Sequence, residues 1–428
     1  MDLFRLKENH TTMKTEVVSG LTTFLAMLYI IPVNAFILSM SGMPYGALVT
    51  ATIAMTVFAS ILNGLWSNTP IAMSVGMGLN AYFSFGLVKG MGIPWQSALG
   101  IVFISGVLYV LISITPVRKW LIETIPIDIK RAVSAGIGAF IALIALEQTK
   151  IIVANQSTLV SLGDFKESEV LLALFGLVLA IYFSLKKYKG AFILSILLTT
   201  LTAWALGLSP FPTAFISMPA SMAPIAFELD IASALSLSFI PVIFIFLLTD
   251  LFDTLGTLAG VGMRAKLFEN KEGSIALQKT IEADAVATTV SGLAGVTSTT
   301  SFIESAAGVE EGGRTGLSAI TVGALFMLTL FFLPLFKAIP PNAIYPILIV
   351  IGIMMFGELQ HIDYADQATK YATFFIVMGM PLTYSITNGL LLGALVYLLV
   401  NIFLGKAKEI SPAMRILAVA GVLIFFFL

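Results

Sequence analysis

Long apolar stretches alternate with short polar segments along the whole chain. An apolar helix of about 20 residues crosses the hydrocarbon core of a membrane, and by this criterion the pattern predicts fourteen spans. Two of them, 70–88 and 296–309, are interrupted by Pro, Gly or hydroxyl residues. The continuous spans are predicted at 17–40, 45–66, 95–114, 129–146, 170–185, 191–208, 239–262, 281–295, 315–336, 342–357, 372–383 and 386–404. A final apolar tail, 416–428, is too short to cross comfortably and is expected to lie on or partly in the membrane.

Composition agrees with a polytopic helical membrane protein. Of 428 residues, 58% are hydrophobic and 11% are charged, whereas about a quarter of a soluble protein's residues are charged. The net charge of −1 predicts no nucleic-acid partner. There is no Cys, and both histidines, His10 and His361, lie in polar segments. We therefore expect no metal site and no cofactor.

The distribution of Lys and Arg predicts the orientation. With the N-terminus in the cytoplasm, only four of the 23 Lys and Arg residues fall outside: Lys89, Lys150, Lys166 and Lys337. Positive charge concentrates on the cytoplasmic side of membrane proteins. The bias supports fourteen spans in the cytoplasmic (inner) membrane, with a polar cytoplasmic N-terminus and not a cleaved signal peptide.

The two halves of the chain resemble each other. Ile125-Pro126 opens the fifth span and Ile339-Pro340-Pro341 the twelfth, and the broken third and tenth spans occupy matching positions. Seven spans per half is an odd number, so the second repeat must be inverted relative to the first. Inverted repeats with matching broken helices predict a secondary transporter with its site near the membrane midplane.

The eighth span contains acids near its middle. Asp250, Asp253, Thr254 and Thr257 are spaced three and four apart, which predicts one shared helix face. A carboxylate at this depth is costly unless it faces a partner or a wet cavity, so it indicates a substrate or ion site. An internal polar contact between helices is the plainer alternative.

Glycines of the same span suggest close helix packing. Gly256 and Gly260 form a GxxxG pattern, which typically lets a second helix approach.

The two broken spans are each predicted to contain a short extended segment followed by a short helix. Pro70, Gly76 and Gly78 interrupt the first, and Asn80 is expected to open a helix over 81–88. Extended backbone at membrane depth must be covered by protein, so we expect the two strands to meet and pair.

The second break also contains an acid. Hydroxyl-rich 297–301 precedes Ser301-x-x-Glu304, a capping-box pattern. Glu304 is either only a helix cap or, opposite the acids of the eighth span, part of the site. For Asn80, a cap and a ligand contact remain equally open.

Four stretches together resemble the nucleobase:cation symporters, specifically the azaguanine-type branch of adenine, guanine and hypoxanthine permeases. These stretches are EVVSGLTTFLAMLYIIPVNA, SVGMGLNAYF, TDLFDTLGTLAGVG and GVTSTTSFIESAAGVEEGGRTGLSA. The resemblance covers essentially the whole chain. It implies an all-α polytopic fold of fourteen transmembrane segments in two inverted seven-span repeats, with short strands in spans 3 and 10.

The resemblance further implies two domains, each assembled from both halves. A mobile core comprises 1–124 and 209–338, and a gate domain, which often dimerises in this fold, comprises 125–208 and 339–428 with the apolar tail. An elevator-type movement of the core against the gate is expected, because the predicted charged site lies wholly in spans three, eight and ten.

The resemblance places substrate roles on Asp250 and Glu304, and it matches Asn80 and Asp253 to positions important for transport. A purine offers N–H donors to carboxylates, and Phe83, Phe302 or Phe252 could stack on its ring. A neutral substrate needs a driving ion for uphill uptake. Closely spaced intramembrane acids can carry a proton, with Asp253 the first candidate and Glu304 the next; sodium is the alternative ion.

Three other functions compete. An anion transporter on the same fold would need a cation at the site, yet the predicted site contains only acids. A passive facilitator is compatible with the sequence. An enzyme is disfavoured, because no Ser/His/Asp set, metal-ligand cluster or phosphate loop lies near the spans.

Overall fold

The computed structural model describes residues 3–115, 124–265, 267–268 and 271–427. The described helices are α1 Met13–Met27, α2 Ile30–Ser39, α3 Tyr45–Trp66, α4 Met77–Ala81, α5 Trp95–Ser113, α6 Ile127–Gln148, α7 Ser168–Leu185, α8 Ala191–Ala205, α9 Ile231–Ala234, α10 Ile240–Ala265, α11 Lys271–Ala294, α12 Ser305–Glu310, α13 Gly316–Leu328, α14 Leu333–Lys337, α15 Pro341–Phe356, α16 Gln367–Leu382, α17 Ile386–Phe403 and α18 Pro412–Phe427. A π-helix covers Tyr82–Gly90, and 3-10 turns cover Leu237–Phe239, Thr329–Phe332 and Gly357–His361. The strands are β1 Met73–Val75, β2 Ile152–Asn155, β3 Leu159–Leu162 and β4 Thr299–Ser301.

Within these ranges, nine helical segments are long and apolar enough to cross a membrane. Five further predicted spans are shorter, more polar or broken: α8, α11, α16 and the segments around β1 and β4. Nine and five account for the fourteen spans. The protein is thus a multi-pass, all-α membrane protein of two inverted seven-span repeats, and the predicted fold class is confirmed.

The strands of the two broken spans meet as predicted. β1 pairs antiparallel with β4, with Met73 opposite Ser301 and Val75 opposite Thr299. The amide of Gly76 extends the ladder by donating to the carbonyl of Ser298 at 2.8 Å. All six strand residues are buried. Each half therefore satisfies the exposed backbone of the other, which is required where no water is present.

The helix predicted at 81–88 is wrong in its type and its start. α4 begins at Met77, and a π-helix follows directly. The ring of Tyr82 lies so close to Gly86 that a Cβ there would come within 2.4 Å of the ring. The missing side chain of Gly86 leaves space for this widened turn; short π segments are common at functional sites.

A buried acid near the start of α1 fastens this helix to α13. Glu16 accepts hydrogen bonds from the amide of Arg314 at 2.9 Å and from the hydroxyl of Ser318 at 2.6 Å. Because the first amides of a helix have no intrahelical acceptor, the Glu16 carboxylate completes the N-terminal end of α13. Its role is structural, and it positions the first span beside the eleventh.

Candidate functional site

The acids of α10 point in different directions. Asp250, Thr254 and Thr257 are buried, whereas Asp253 is exposed. Three residues turn an α-helix by about 300°, so the side chains of Asp250 and Asp253 diverge by about 60°. The predicted single polar face is therefore two adjacent faces: one is packed inside the protein and the other borders open space.

We call the residues that border this space the open groove: Asp253, Gly256, Gly260, Ile303 and Glu304. Among the described residues, a Cβ built on Gly256 meets no atom within 4 Å, and one on Gly260 meets only Ile303, at 3.9 Å. The prediction that this glycine pair packs against another helix is wrong. The absence of side chains here instead keeps the groove open in front of two acids.

Asp253 and Glu304 lie together in the groove. Their charges are close enough to interact, and the hydroxyl of Thr300 also lies beside the Asp253 carboxylate. Asp253 is exposed on the surface of α10. Water or a small molecule can therefore reach its carboxylate.

Glu304 does not form the predicted capping box. Ser301 belongs to β4, and Glu304 directly precedes α12 without a side-chain bond to the helix. Its Oε1 instead accepts a hydrogen bond of 2.5 Å from the hydroxyl of Tyr29. β4 continues through residue 301, so the helix starts too late for Ser301 to cap it. Glu304 is partly exposed, and its carboxylate is consequently not used to cap the helix.

Asp250 lies behind the groove. It is 1% exposed, and its Oδ2 accepts a hydrogen bond of 2.7 Å from the hydroxyl of Thr288 on α11. The resemblance implies that Asp250 binds substrate. The structure places it one layer away from the open space.

A second buried acid, Asp284 on α11, was missed. It is fully buried, and its Oδ2 accepts from the hydroxyls of Thr254, at 2.6 Å, and Tyr109, at 3.2 Å. Asp284 lies in α11, the ninth span, outside spans three, eight and ten, to which the sequence assigned the charged site. An Asp among the small residues of 283–294 was the available signal.

The remaining predicted site residues are enclosed. Asn80 is fully buried and its side-chain amide donates to Asn34. Phe83 is 0% and Phe302 4% exposed, so neither ring borders the groove. Phe252 is partly exposed and its ring lies beneath Lys130 of α6, 5.2 Å from the ammonium.

The groove can accept hydrogen bonds from a small molecule, because its two polar side chains are both carboxylates. Within the described ranges, no group of three or more His, Cys, Asp or Glu side chains could hold a metal ion. The geometry fits a ligand that presents N–H groups and sits against a glycine surface.

Comparison with known proteins gives consistent results. The model of the Permease family (Xan_ur_permease) matches residues 14–392. The chain is 37% identical to the adenine permease AdeP of Escherichia coli over 98% of this chain and 94% of that protein. It is 38% identical to the guanine/hypoxanthine permease PbuO of Bacillus subtilis, covering 97% and 98%.

Among solved structures, the transmembrane domain of a cyanobacterial bicarbonate transporter, BicA, superimposes with a TM-score of 0.66. The match covers 86% of this chain and 96% of that one at 16% identity. At this identity the likeness concerns the fold alone.

Proposed function

The chain belongs to the Xan_ur_permease family of transporters and is not an enzyme, and on this premise we propose that it imports purine nucleobases. The relatives named for adenine and for guanine and hypoxanthine align over nearly the full chain. The observation that carries the proposal is the pair of carboxylates, Asp253 and Glu304, in the open groove. Adenine, guanine and hypoxanthine all present N–H donors along a ring edge, and carboxylates are strong acceptors of such bonds.

In this proposal Asp253 and Glu304 contact the base directly, one from each half of the chain. Tyr29 occupies one oxygen of Glu304, so the other oxygen is available to the substrate. The flat surface at Gly256 and Gly260 allows a planar ring to lie against α10 without a clash. Asp250 supports this layer from behind, and Asn80 positions α4 through Asn34.

The exposure of α10 supports an inward-facing arrangement. Residues 245–251 are buried, whereas Asp253, Gly256 and Ala259 are exposed. With a cytoplasmic N-terminus, the eighth span runs from outside to inside. The groove then opens towards the cytoplasm and is closed on the outer side by the apolar half of α10.

Movement of a core, 1–124 and 209–338, against a gate, 125–208 and 339–428, would expose the groove alternately. Contacts between the two groups include the hydrogen bond between Tyr82 and Thr387, at 2.5 Å, and the approach of Gly78 to Ile137 of α6. A neutral base gains nothing from the membrane potential, so accumulation requires a coupled ion. We assign that role to the proton, which intramembrane acids can carry.

The test is uptake of labelled adenine, guanine, hypoxanthine, xanthine and uracil by cells lacking their own permeases. We expect accumulation of at least one purine that competes with the other purines and collapses with an uncoupler. Purine entry that equilibrates and ignores the uncoupler would make the protein a facilitator, and no purine uptake would refute the proposal.

A further inference from the structure

Two carboxylates are buried between α10 and α11, outside the open groove. Asp250 and Thr254 are one turn apart on α10, and Asp284 and Thr288 are one turn apart on α11. Each threonine bonds the aspartate of the other helix: Thr254 to Asp284 at 2.6 Å and Thr288 to Asp250 at 2.7 Å. Because α10 and α11 run antiparallel, this reciprocal arrangement places the two acids diagonally across the helix pair, about one helical turn apart in depth.

Each acid retains an oxygen without a partner. The Oδ1 atoms of Asp250 and Asp284 are buried and accept no hydrogen bond from the part of the chain that the structure describes. Two buried carboxylates that interact electrostatically repel each other and lose hydration when both are ionised, so a proton on one of them is favoured. An additional hydrogen on one Oδ1 or Oδ2 would remove part of this cost.

The threonine contacts leave room for that hydrogen. The Thr288 hydroxyl lies 2.7 Å from Oδ2 of Asp250 and 2.8 Å from the carbonyl oxygen of Thr299. A hydroxyl has one hydrogen and can donate to only one of these acceptors. When it donates to Thr299, the contact with Asp250 is a hydrogen bond only if the carboxyl group carries the proton.

We propose that Asp250 and Asp284 together hold a single exchangeable proton and form the proton-coupling site of the transporter. This inference rests on the proposed function and moves the coupling proton from Asp253, where the sequence placed it, to a site one layer deeper. Other titratable groups near the pair are Asp253 on α10 itself and Tyr109 from α5, and Glu304 at the start of α12 lies near Asp253. The residues of β4 that lie beside the pair carry hydroxyl groups.

A chain of hydroxyls connects the pair to the groove. Thr254 bonds Asp284 at 2.6 Å and Thr300 at 2.9 Å, and Thr300 lies beside Asp253. A proton taken up by Asp253 from water can pass inward: Thr300 and then Thr254 each accept a proton on one side and release their own on the other. The net change is one proton lost from Asp253 and one gained by Asp284.

This geometry couples the proton to the base. A purine bonded to Asp253 covers the point where the hydroxyl chain reaches water, so the proton leaves the buried pair only after the base has left. On uptake from outside the order is reversed, and the proton binds before the base. Transport of the base without the proton, or of the proton without the base, is thereby suppressed.

The first experiment is infrared difference spectroscopy on the purified protein between neutral and high pH, without substrate. We expect a carbonyl band of a protonated carboxylic acid that disappears in Asp284→Asn and in Asp250→Asn, because a lone aspartate can ionise. The control is Glu282→Gln, which also converts an acid of α11 into its amide. Glu282 is partly exposed and is bonded to Trp66 and Gln278. A band that survives in both Asp variants overturns the inference.

The second experiment measures proton movement with purine in proteoliposomes. Asp284→Asn should bind and exchange purine but no longer accumulate it on a pH gradient, whereas Glu282→Gln should behave as the wild type. Accumulation by Asp284→Asn that still follows the pH gradient, or wild-type accumulation that follows sodium instead, overturns the inference. If the wild type binds no purine, the proposed function fails, and the substrate-free infrared result still decides whether the pair holds a proton.

Discussion

The hydroxyl of Tyr29 donates a hydrogen bond of 2.5 Å to Oε1 of Glu304. Tyr29 lies between α1 and α2, so this contact joins the first span to the short helix of the tenth. The same tyrosine ring packs edge-to-face on Phe192 of α8, with the ring centres 5.0 Å apart. An acid of the groove is thus connected through one side chain to a helix of the proposed gate.

Removing this hydroxyl should weaken substrate binding. In Tyr29→Phe the Glu304 carboxylate loses a donor and its fixed orientation, and a hydrogen bond to a charged group contributes about 1.5–3 kcal/mol. We expect purine affinity to fall about ten- to hundredfold, measured by equilibrium binding to the purified protein. Tyr45→Phe is the matched control, because that hydroxyl bonds the carbonyl of Phe336 away from the groove. Equal losses in both variants would contradict the specific role of Tyr29.

Asp253 and Asp250 should give opposite results when changed to Asn. Asp253 faces the groove, so Asp253→Asn removes an acceptor of the purine N–H groups and should lower affinity by at least about tenfold. Asp250 is enclosed behind it, so Asp250→Asn should retain binding. Competition binding with unlabelled purine measures both. Loss of affinity in Asp250→Asn alone would support direct contact by Asp250, as the resemblance implies.

Side chains added at Gly256 should block the groove without unfolding the protein. A Cβ at Gly256 has open space, so Gly256→Ala should insert and transport, whereas Gly256→Leu should fold but lose purine uptake. Gly316→Ala is the contrasting variant, because its Cβ would lie 1.9 Å from the carbonyl oxygen of Gly64 and force α13 away from α3. Size-exclusion profiles and uptake distinguish blocking from misfolding. A transport-competent Gly256→Leu protein would place the substrate elsewhere.

Locking the core to the gate should stop transport. The chain contains no Cys, so cysteines introduced at Gly78 and Ile137, which lie across the two groups, can be joined selectively by a short cross-linker. Uptake should cease on linking and return on cleavage of a reducible linker, with either single-Cys variant as the control. Undiminished uptake with the link formed would rule out an elevator movement.

The fold followed from sequence because hydropathy, charge bias and the two broken spans are local signals. The pairing of β1 with β4 was predictable, since buried extended backbone in each half needs a partner. The functions of Gly256 and Gly260 were not predictable, because a GxxxG pattern does not say whether a helix or a ligand approaches it. Asp284 escaped notice because its significance depends on a cross-helix contact with Thr254.

The 60° angle between the side-chain directions of Asp250 and Asp253 could also not be predicted by assigning both residues to one helix face. Both residues fall within one broad polar stripe, and only the packing of α11 against α10 separates the buried acid from the exposed one. In the π-helix at 82–90 the ring of Tyr82 packs over Gly86, a contact that the sequence pattern does not reveal.

The central claim is that the carboxylates of the open groove bind a purine base, and calorimetric titration of purified protein with guanine, hypoxanthine or adenine tests it most directly. We predict saturable binding of at least one base to the wild type and to Glu282→Gln, and no measurable binding to Glu304→Gln that elutes and unfolds like the wild type. Wild-type affinity in Glu304→Gln would contradict the account.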